Sequence, residues 1–156
     1  MTKYNKIIEN SLFKNALSEI MKKEKTRIFC RHSMEHCLDV ARIAYILTLE
    51  NNIDISRDLI YSTALLHDIG RAFDDKEHDK MGVDLAEKIL KECDYKADEI
   101  SEITNAILNH RNDVTALNSL SDVICKADKL SRQCFDCNAQ AECYWTEERR
   151  NKYIKY

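Results

Sequence analysis

The chain has 156 residues, which is the size of a single domain, and 44% of them are hydrophobic, enough to bury a sizeable core. Lysine and arginine number 24 against 27 aspartate and glutamate, and this net charge of -3 gives no electrostatic case for a nucleic-acid partner. No stretch resembles a membrane span or a signal peptide, so we expect a soluble cytoplasmic protein. Seven cysteines, an odd number, exclude a complete set of internal disulfides and favour reduced thiols.

The scarcity of helix breakers predicts the fold class. The chain has no proline and only two glycines, Gly70 and Gly82. We therefore expect an all-α, single-domain bundle of about six to seven helices. In chain order, the predicted helices cover residues 3 to 22, 34 to 51, 56 to 69, 79 to 92, 97 to 110 and 119 to 133, with a short helix at 146 to 153.

Local signals support several of these boundaries. Ser56 is the expected N-cap of the third helix, and Ser119 with Asp122 resembles a capping box for the sixth. An apolar stripe along the fifth helix ends at His110, which places this histidine on the side that faces the core. The charged run at residues 22 to 25 is interpreted as a solvated face.

Metal-ligand residue types recur at the ends of these helices. His67 and Asp68 end the third helix and supply an imidazole and a carboxylate, which suit borderline divalent metals. Adjacent side chains on a helix diverge, so one metal can take both only where the helix is ending, and Gly70 marks such an end. Residues of the same types lie on the other helices, at His36, His78, His110 and Asp128. A bundle could bring them together in one pocket, and a metal site is the hypothesis.

A simpler interpretation exists for each histidine, because a lone histidine on an apolar face is more often a hydrogen-bonded core residue than a ligand. His78 could also lie in the charged loop of residues 74 to 77. The simpler interpretation is hardest to sustain when it must hold for four residues together, namely His36, His67, Asp68 and Asp128. An unpaired carboxylate at a mostly apolar helix position costs several kcal/mol unless a cation or hydrogen bonds compensate it.

The order and context of these residues resemble a known family. His36 stands in a His-x-x-x-Val-Ala context, His67-Asp68 in Ala-Leu-Leu-His-Asp-Ile-Gly, and Asp128 in Ala-Asp-Lys. Over residues 30 to 133 this pattern is similar to the HD superfamily of metal-dependent phosphohydrolases. The resemblance implies an HD-like helical domain over residues 1 to 133, with the motifs within 30 to 133. Residues 134 to 156 fall outside the resemblance, and we expect them to form a cysteine-rich tail packed on the same domain.

Two further histidines, His78 and His110, are similar to those of the two-metal subset of that superfamily. This subset includes a bacterial symmetrical diadenosine tetraphosphate hydrolase and cyclic-dinucleotide phosphodiesterases. The Gly-Tyr-Pro tripeptide that marks the phosphodiesterases does not occur in this chain, which disfavours cyclic-dinucleotide hydrolysis.

The resemblance implies a ligand set and a chemistry. Asp68 bridges two metals, of which one is held by His36, His67 and Asp128 and the other by His78 and His110. Mixed nitrogen and oxygen donors suit one or two divalent transition metals, namely iron, manganese, cobalt or nickel, better than structural zinc. A metal-bound hydroxide then attacks the phosphorus of a small phosphorylated, nucleotide-like substrate.

Four side chains near these ligands are candidates for catalysis or substrate binding. Arg71, Arg111 and Lys129 each follow a candidate ligand and could bind a phosphate, although each could instead be a cation at a helix C-terminus. His32 lies four residues before His36 and would share its face if the helix starts early. It could be an acid on the substrate side, a support for a ligand, or a surface residue.

The tail carries a Cys-x-x-Cys-x5-Cys array at Cys134, Cys137 and Cys143. A closed structural zinc site needs four ligands, and Cys30 or Cys125 is a candidate for the fourth. Reduced cysteines without a metal, or a redox pair formed by the first two, are the alternatives. With Trp145 the array resembles tails on small members of the superfamily.

The leading hypothesis is therefore a metal-dependent phosphohydrolase acting on a small nucleotide-like molecule. The same kind of site with two irons could instead activate dioxygen, which would make the protein an oxygenase with an HD-like fold. A third alternative is a non-catalytic module that senses a nucleotide or a metal.

Overall fold

The protein is entirely helical in a computed structural model that describes residues 1–156. Seven α-helices, α1 to α7, span Lys3–Glu9, Ser11–Lys23, Met34–Glu50, Arg57–Leu66, His78–Glu92, Ala97–Asn109 and Leu120–Leu130. Two short 3-10 helices cover Ile69–Ala72 and Cys134–Asp136. The predicted all-α class and number of helices are confirmed. None of the helices combines the length and apolarity needed to cross a membrane.

The predicted helix at residues 3 to 22 is in fact two helices, divided at Asn10. The backbone of Asn10 is extended, and its side chain accepts hydrogen bonds from the N–H groups of Leu12 (2.9 Å) and Phe13 (3.2 Å). Asparagine side chains compete with the backbone for such donors, which makes them strong N-caps and weak residues inside a helix. The cap starts α2 where the apolar pattern alone predicted a continuous helix.

The helix predicted at residues 146 to 153 is wrong. Only a single turn forms there, in which the N–H groups of Arg149 and Arg150 both donate to the carbonyl of Thr146. The side chains of Arg150 and Asn151 instead donate to backbone carbonyls outside this turn, which holds the segment in an irregular path.

Helix α4 lies at the centre of the bundle. It contacts α1, α3, α6 and α7, and the side chains of Ile60, Ala64 and Leu66 are 0% exposed. Because these neighbours cover it on several sides, the end of α4 opens into the interior and not into solvent. The residues that follow, His67 and Asp68, are thereby carried into the core.

The two glycines bring the turn after α4 into contact with α5. A Cβ atom at Gly70 would lie 1.9 Å from the carbonyl oxygen of His78 and 2.6 Å from the nitrogen of Gly82. A Cβ at Gly82 would lie 3.1 Å from the nitrogen of Gly70. The two backbones approach so closely only because side chains are missing there, and the approach sets His78 beside the end of α4.

We expect Gly70→Ala to lower the free energy of unfolding by about 3 kcal/mol, because the obstructing atoms are backbone and cannot rotate away. Gly82→Ala is the matched control. Its contact is milder, and alanine recovers about 1 kcal/mol of helix propensity in the middle of α5. Urea unfolding followed by circular dichroism measures both variants, and equal midpoints for the two would contradict the close-approach argument.

Candidate metal centre

The end of α4 places two adjacent donors on the same side. The helix stops at Leu66, His67 keeps helical angles, and Asp68 leaves the helix with φ -104° and ψ 7°. As a result the Nε2 atom of His67 lies 3.0 Å from Oδ2 of Asp68. Both residues are buried, at 0% and 4% exposure. The turn at Asp68 therefore brings the two donor atoms together, whereas a continuous helix would keep them apart.

A first group of donor atoms surrounds Oδ2 of Asp68. Nε2 of His36, from α3, lies 3.3 Å from Nε2 of His67, 3.5 Å from this oxygen and 3.2 Å from Oδ1 of Asp128, from α7. Asp128 Oδ1 lies 3.8 Å from Nε2 of His67. These four residues offer ligand atoms within 4.8 Å of one another and could hold a metal ion.

A second group uses the other oxygen of the same carboxylate. Oδ1 of Asp68 lies 3.1 Å from Nε2 of His78 and 3.8 Å from Nε2 of His110, and the two imidazole nitrogens are 3.3 Å apart. His78 begins α5 and His110 follows the last residue of α6. These three buried residues also could hold a metal ion. Asp68 thus contributes one oxygen to each group.

Backbone acceptors determine which nitrogen of each imidazole faces the centre. The Nδ1 atoms of His67, His78 and His110 lie 2.8, 2.8 and 2.6 Å from the carbonyl oxygens of Ala64, Asp75 and Ile107. A carbonyl can only accept, so Nδ1 carries the proton and the neutral ring presents a lone pair at Nε2.

A hydroxyl group orients the His36 ring in the same way. The Ser131 hydroxyl donates to the carbonyl of Asp128 at 2.7 Å, so its oxygen is left to accept from Nδ1 of His36 at 3.3 Å. Every histidine of the two groups therefore aims Nε2 at the centre.

The two buried carboxylates of the centre favour positive charge on the groups around them. Burial would lower the pKa of His67, but the carboxylates of Asp68 and Asp128 outweigh it and raise this pKa to about 10. Burial would likewise raise the pKa of Asp68, yet the facing histidines, His67 foremost, hold it well below its usual range. For Asp128, burial is outweighed mainly by the Arg132 guanidinium, and its pKa is also well below the usual range.

The donor set fits a metal ion. Oδ2 of Asp68 is buried and has no hydrogen-bond partner, although it faces His36 and His67. Neutral imidazoles would bring lone pairs within 3.3 Å of one another in each group with no proton between them. A buried, unpaired carboxylate oxygen next to converging lone pairs is stabilised by a cation, and imidazole with carboxylate suits divalent transition metals.

The predicted phosphate-binding cations lie around a common cavity but already have protein partners. Arg71 Nε donates to Oδ1 of Asp68 at 2.8 Å. The Arg111 guanidinium donates to the carbonyl of Lys76 at 2.6 Å, and Lys129 donates to the carbonyl of Asn112 at 2.9 Å. All three cations line a cavity of about 640 Å³. His32, Asp68, His78, His110 and Asp128 line the same cavity.

His32 is not at the surface, which had been one of its possible positions. It is 2% exposed, and its Nε2 atom lies 3.7 Å from Oδ2 of Asp68. The carboxylate of Glu24 accepts from its backbone N–H at 2.7 Å and lies 2.5 Å from its Nδ1. Burial is the main cause that lowers the pKa of His32, partly opposed by the carboxylates of Asp68 and Glu24.

Two residues of the centre were missed in the sequence. Glu24 is 6% exposed, so the interpretation of its charged run as a solvated face is wrong at this position. No local pattern distinguishes it from its lysine neighbours. Arg132 donates to Oδ1 of Asp128 at 2.8 Å, and its i+4 spacing from that ligand was a usable signal.

The cysteines do not form a comparable centre. All seven thiols are free, and no group of donors that could hold a metal includes a cysteine. Cys134 is buried, Cys137 and Cys143 are partly exposed, Cys30 is exposed, and Cys125 donates to the carbonyl of Asn112 at 2.7 Å. A structural zinc site and a redox pair in the tail stay predictions.

Comparison with known proteins identifies the family of the chain. The HD domain family matches residues 34–133. A protein of Clostridium beijerinckii, named only as uncharacterized, is 35% identical over 159 residues, covering all of both chains. Ribonuclease Y of Acetivibrio thermocellus is 35% identical and that of Enterococcus faecalis 37% identical, each over 101 residues.

The ribonuclease match has a limited extent. It covers 63% of this chain but only 17% and 18% of the two ribonucleases, so this chain matches a small part of those longer proteins. No solved structure matches. Because the family match covers most of the chain and contains the residues that converge on Asp68, the chain belongs to the HD domain family, whose members are typically metal-dependent hydrolases.

Proposed function

We propose that the protein is a phosphohydrolase that cleaves a phosphate ester or anhydride in a small, nucleotide-like substrate. The observation that carries the proposal is the Asp68 carboxylate, whose two oxygens face two separate sets of imidazole nitrogens at the base of one cavity. Two metals that share a carboxylate are suited to phosphoryl chemistry. The named activity of the ribonuclease relatives, cleavage of phosphodiester bonds in RNA, is also chemistry at phosphorus.

The proposed cofactor is a pair of divalent ions. His36, His67 and Asp128 would hold one, His78 and His110 the other, and Asp68 both. The nitrogen and oxygen donors favour iron, manganese, cobalt or nickel. When bound, such ions lower the pKa of water and neutralise charge that develops on phosphate oxygens.

We propose that Arg71 binds the substrate phosphate. Its Nε donates to Asp68 and its Nη1 lies 3.7 Å from the exposed carboxylate of Asp75, which orients the guanidinium and leaves Nη2 for another acceptor. The side chain is 15% exposed and lines the cavity. A planar fork held in this way suits a phosphate better than the flexible amine of Lys129 would.

We propose that His32 holds a proton beside the centre. Glu24 accepts from its backbone N–H and orients the ring through Nδ1, which directs Nε2 toward Asp68. A histidine oriented by a buried carboxylate is a common arrangement for proton transfer. We propose that it accepts a proton from the attacking water at Nε2.

Metal content tests the binuclear assignment. We expect elemental analysis of the purified wild-type protein to find about two divalent ions per chain. Asp68→Asn should lose both ions and His110→Ala one, whereas Asp113→Ala, which removes an 88% exposed carboxylate at the rim of the cavity, should keep both. Full metal retention by His110→Ala would remove this residue from the centre.

Activity tests the reaction class. Metal-loaded wild-type protein should release phosphate or a nucleoside phosphate from members of a nucleotide panel, and chelation or Asp128→Ala should reduce the rate to the uncatalysed background. Oxygen electrode measurements on reduced, iron-loaded protein separate hydrolysis from the alternative oxygenase, because hydrolysis consumes no oxygen. Oxygen uptake without hydrolysis, or inactivity with every divalent ion, would contradict the proposal.

The Glu24–His32 pair should affect turnover more than metal binding. We expect His32→Ala to lower kcat by about 100-fold, the usual scale for loss of a proton-transfer group, while metal content is unchanged. Glu24→Gln should cause a smaller loss because one acceptor oxygen remains. Glu35→Gln, an exposed change on α3, is the control. Loss of metal from His32→Ala would show that this histidine is a ligand.

A further inference from the structure

The cavity above the candidate metal centre has a wall built from the C-terminal tail. The tail residues in its lining include Tyr144, Trp145 and Arg149, and all lie beyond residue 133, where the family match ends. The donor residues in the lining, Asp68, His78, His110 and Asp128, lie within the family match, whereas the wall comes from a segment beyond it. The wall is therefore a candidate for what distinguishes this chain's substrate.

Side-chain amide and guanidinium groups hold this tail in place. The Asn151 side chain donates to the carbonyls of Lys129 (2.8 Å), Leu130 (3.4 Å) and Arg132 (2.8 Å), at the end of α7. Since α7 also carries Asp128, the tail is fixed relative to the donor groups.

A second set of contacts fixes the tail on itself. The guanidinium of Arg150 donates to the carbonyl of Trp145 at 3.0 Å and to that of Cys143 at 3.3 Å. These bonds flank Tyr144 and define the backbone that presents both aromatic rings. Specific hydrogen bonds therefore determine the backbone conformation of the wall.

The aromatic side chains of the wall do not belong to the hydrophobic core. Tyr144 is 78% exposed and Trp145 is partly exposed, and both line the cavity. Phe29, from the segment before α3, lines it as well. Aromatic side chains that line a polar cavity and are not packed in the core are suited to stacking on another planar ring, and every nucleobase has a flat face.

The charge of the lining points to an anionic ligand. Nine lysine and arginine residues line the cavity against five aspartates and glutamates. Two of those five, Asp68 and Asp128, face the histidines of the donor groups. Lys126 and Lys155 reach the lining from α7 and from the tail. A cationic lining with aromatic residues on one wall is complementary to a phosphate joined to a planar base.

We propose that the C-terminal wall binds the base of a nucleotide, with Trp145 as the main stacking residue and Tyr144 beside it, while the phosphate lies over the two donor groups. The inference rests on the proposed function and adds its specificity determinant. The ligand class is a nucleoside phosphate, in preference to a sugar phosphate or an inorganic phosphate.

Trp145 is the only tryptophan in the chain, so its fluorescence reports on this wall alone. Purified wild-type protein is titrated with adenosine, guanosine and cytidine monophosphates, and in parallel with ribose 5-phosphate and pyrophosphate. We expect saturable quenching by at least one nucleotide and none by the ligands without a base. Equal responses to ribose 5-phosphate and to every nucleotide would overturn the proposal.

Variants test the same wall by kinetics. For the best nucleotide substrate, Trp145→Ala should raise KM about tenfold, equivalent to about 1.4 kcal/mol, with little change in kcat and in metal content. Trp145→Phe keeps an aromatic face and should recover most of the affinity. Tyr153→Ala is the control, because Tyr153 lies in the same tail, is 77% exposed and does not line the cavity.

The two proposals fail in different ways. If ribose 5-phosphate or pyrophosphate is hydrolysed as efficiently as nucleotides, and Trp145→Ala leaves KM unchanged, the phosphohydrolase assignment stands and the base-binding wall is refuted. If nucleotides quench Trp145 but no product forms with any metal, the wall stands and the hydrolase assignment is refuted. Tighter binding of a single-stranded RNA decamer than of any mononucleotide would overturn the small-molecule ligand class.

Discussion

The carboxylate of Asp68 is the group on which the rest of the structure depends. It is 4% exposed, and burying a charge costs several kcal/mol unless charge and hydrogen bonds compensate it. Arg71 donates to one of its oxygens, and the other oxygen faces the Nε2 atoms of His36 and His67 without an assigned hydrogen bond. Histidines from several helices converge on these oxygens, and together they form a site suited to a cation. Such a site explains why polar residues occupy the middle of an apolar bundle.

The backbone reaches this arrangement by interrupting regular structure at one place. Helix α4 ends inside the core, the chain turns at Asp68, and the following 3-10 helix lies against α5 through Gly70 and Gly82. This contact delivers His78 to the oxygen of Asp68 that the first donor group does not use. A fold with a continuous α4 would separate the two adjacent ligands and lose the second group. The close packing of the two backbones and the positions of the donor atoms therefore depend on each other.

How well each feature could be predicted from the sequence depends on the kind of interaction that forms it. The pair His67 and Asp68 could be identified from the sequence because a helix end and a glycine are local signals. Asn10 and the segment at 146 to 153 could not be placed correctly, since side chains there capture backbone groups in competition with the helix. Glu24 had no signal at all, because its partner His32 is brought to it by a turn between two helices that residue types alone do not define.

The HD core and the C-terminal tail would have different roles in the proposed function. The part shared with the ribonucleases is confined to a 101-residue match, whereas Trp145 lies beyond residue 133, where the family match ends. In the proposed function, the donor groups of the core, which converge on Asp68, would fix the position of the reacting phosphate. Discrimination between substrates then has to come from groups that contact the remainder of the molecule, because a phosphate looks the same in all of them. Hydrogen bonds from Asn151 attach the tail to the end of the helix that carries Asp128, so a substrate that reached both would contact two parts of the chain held in a fixed relation.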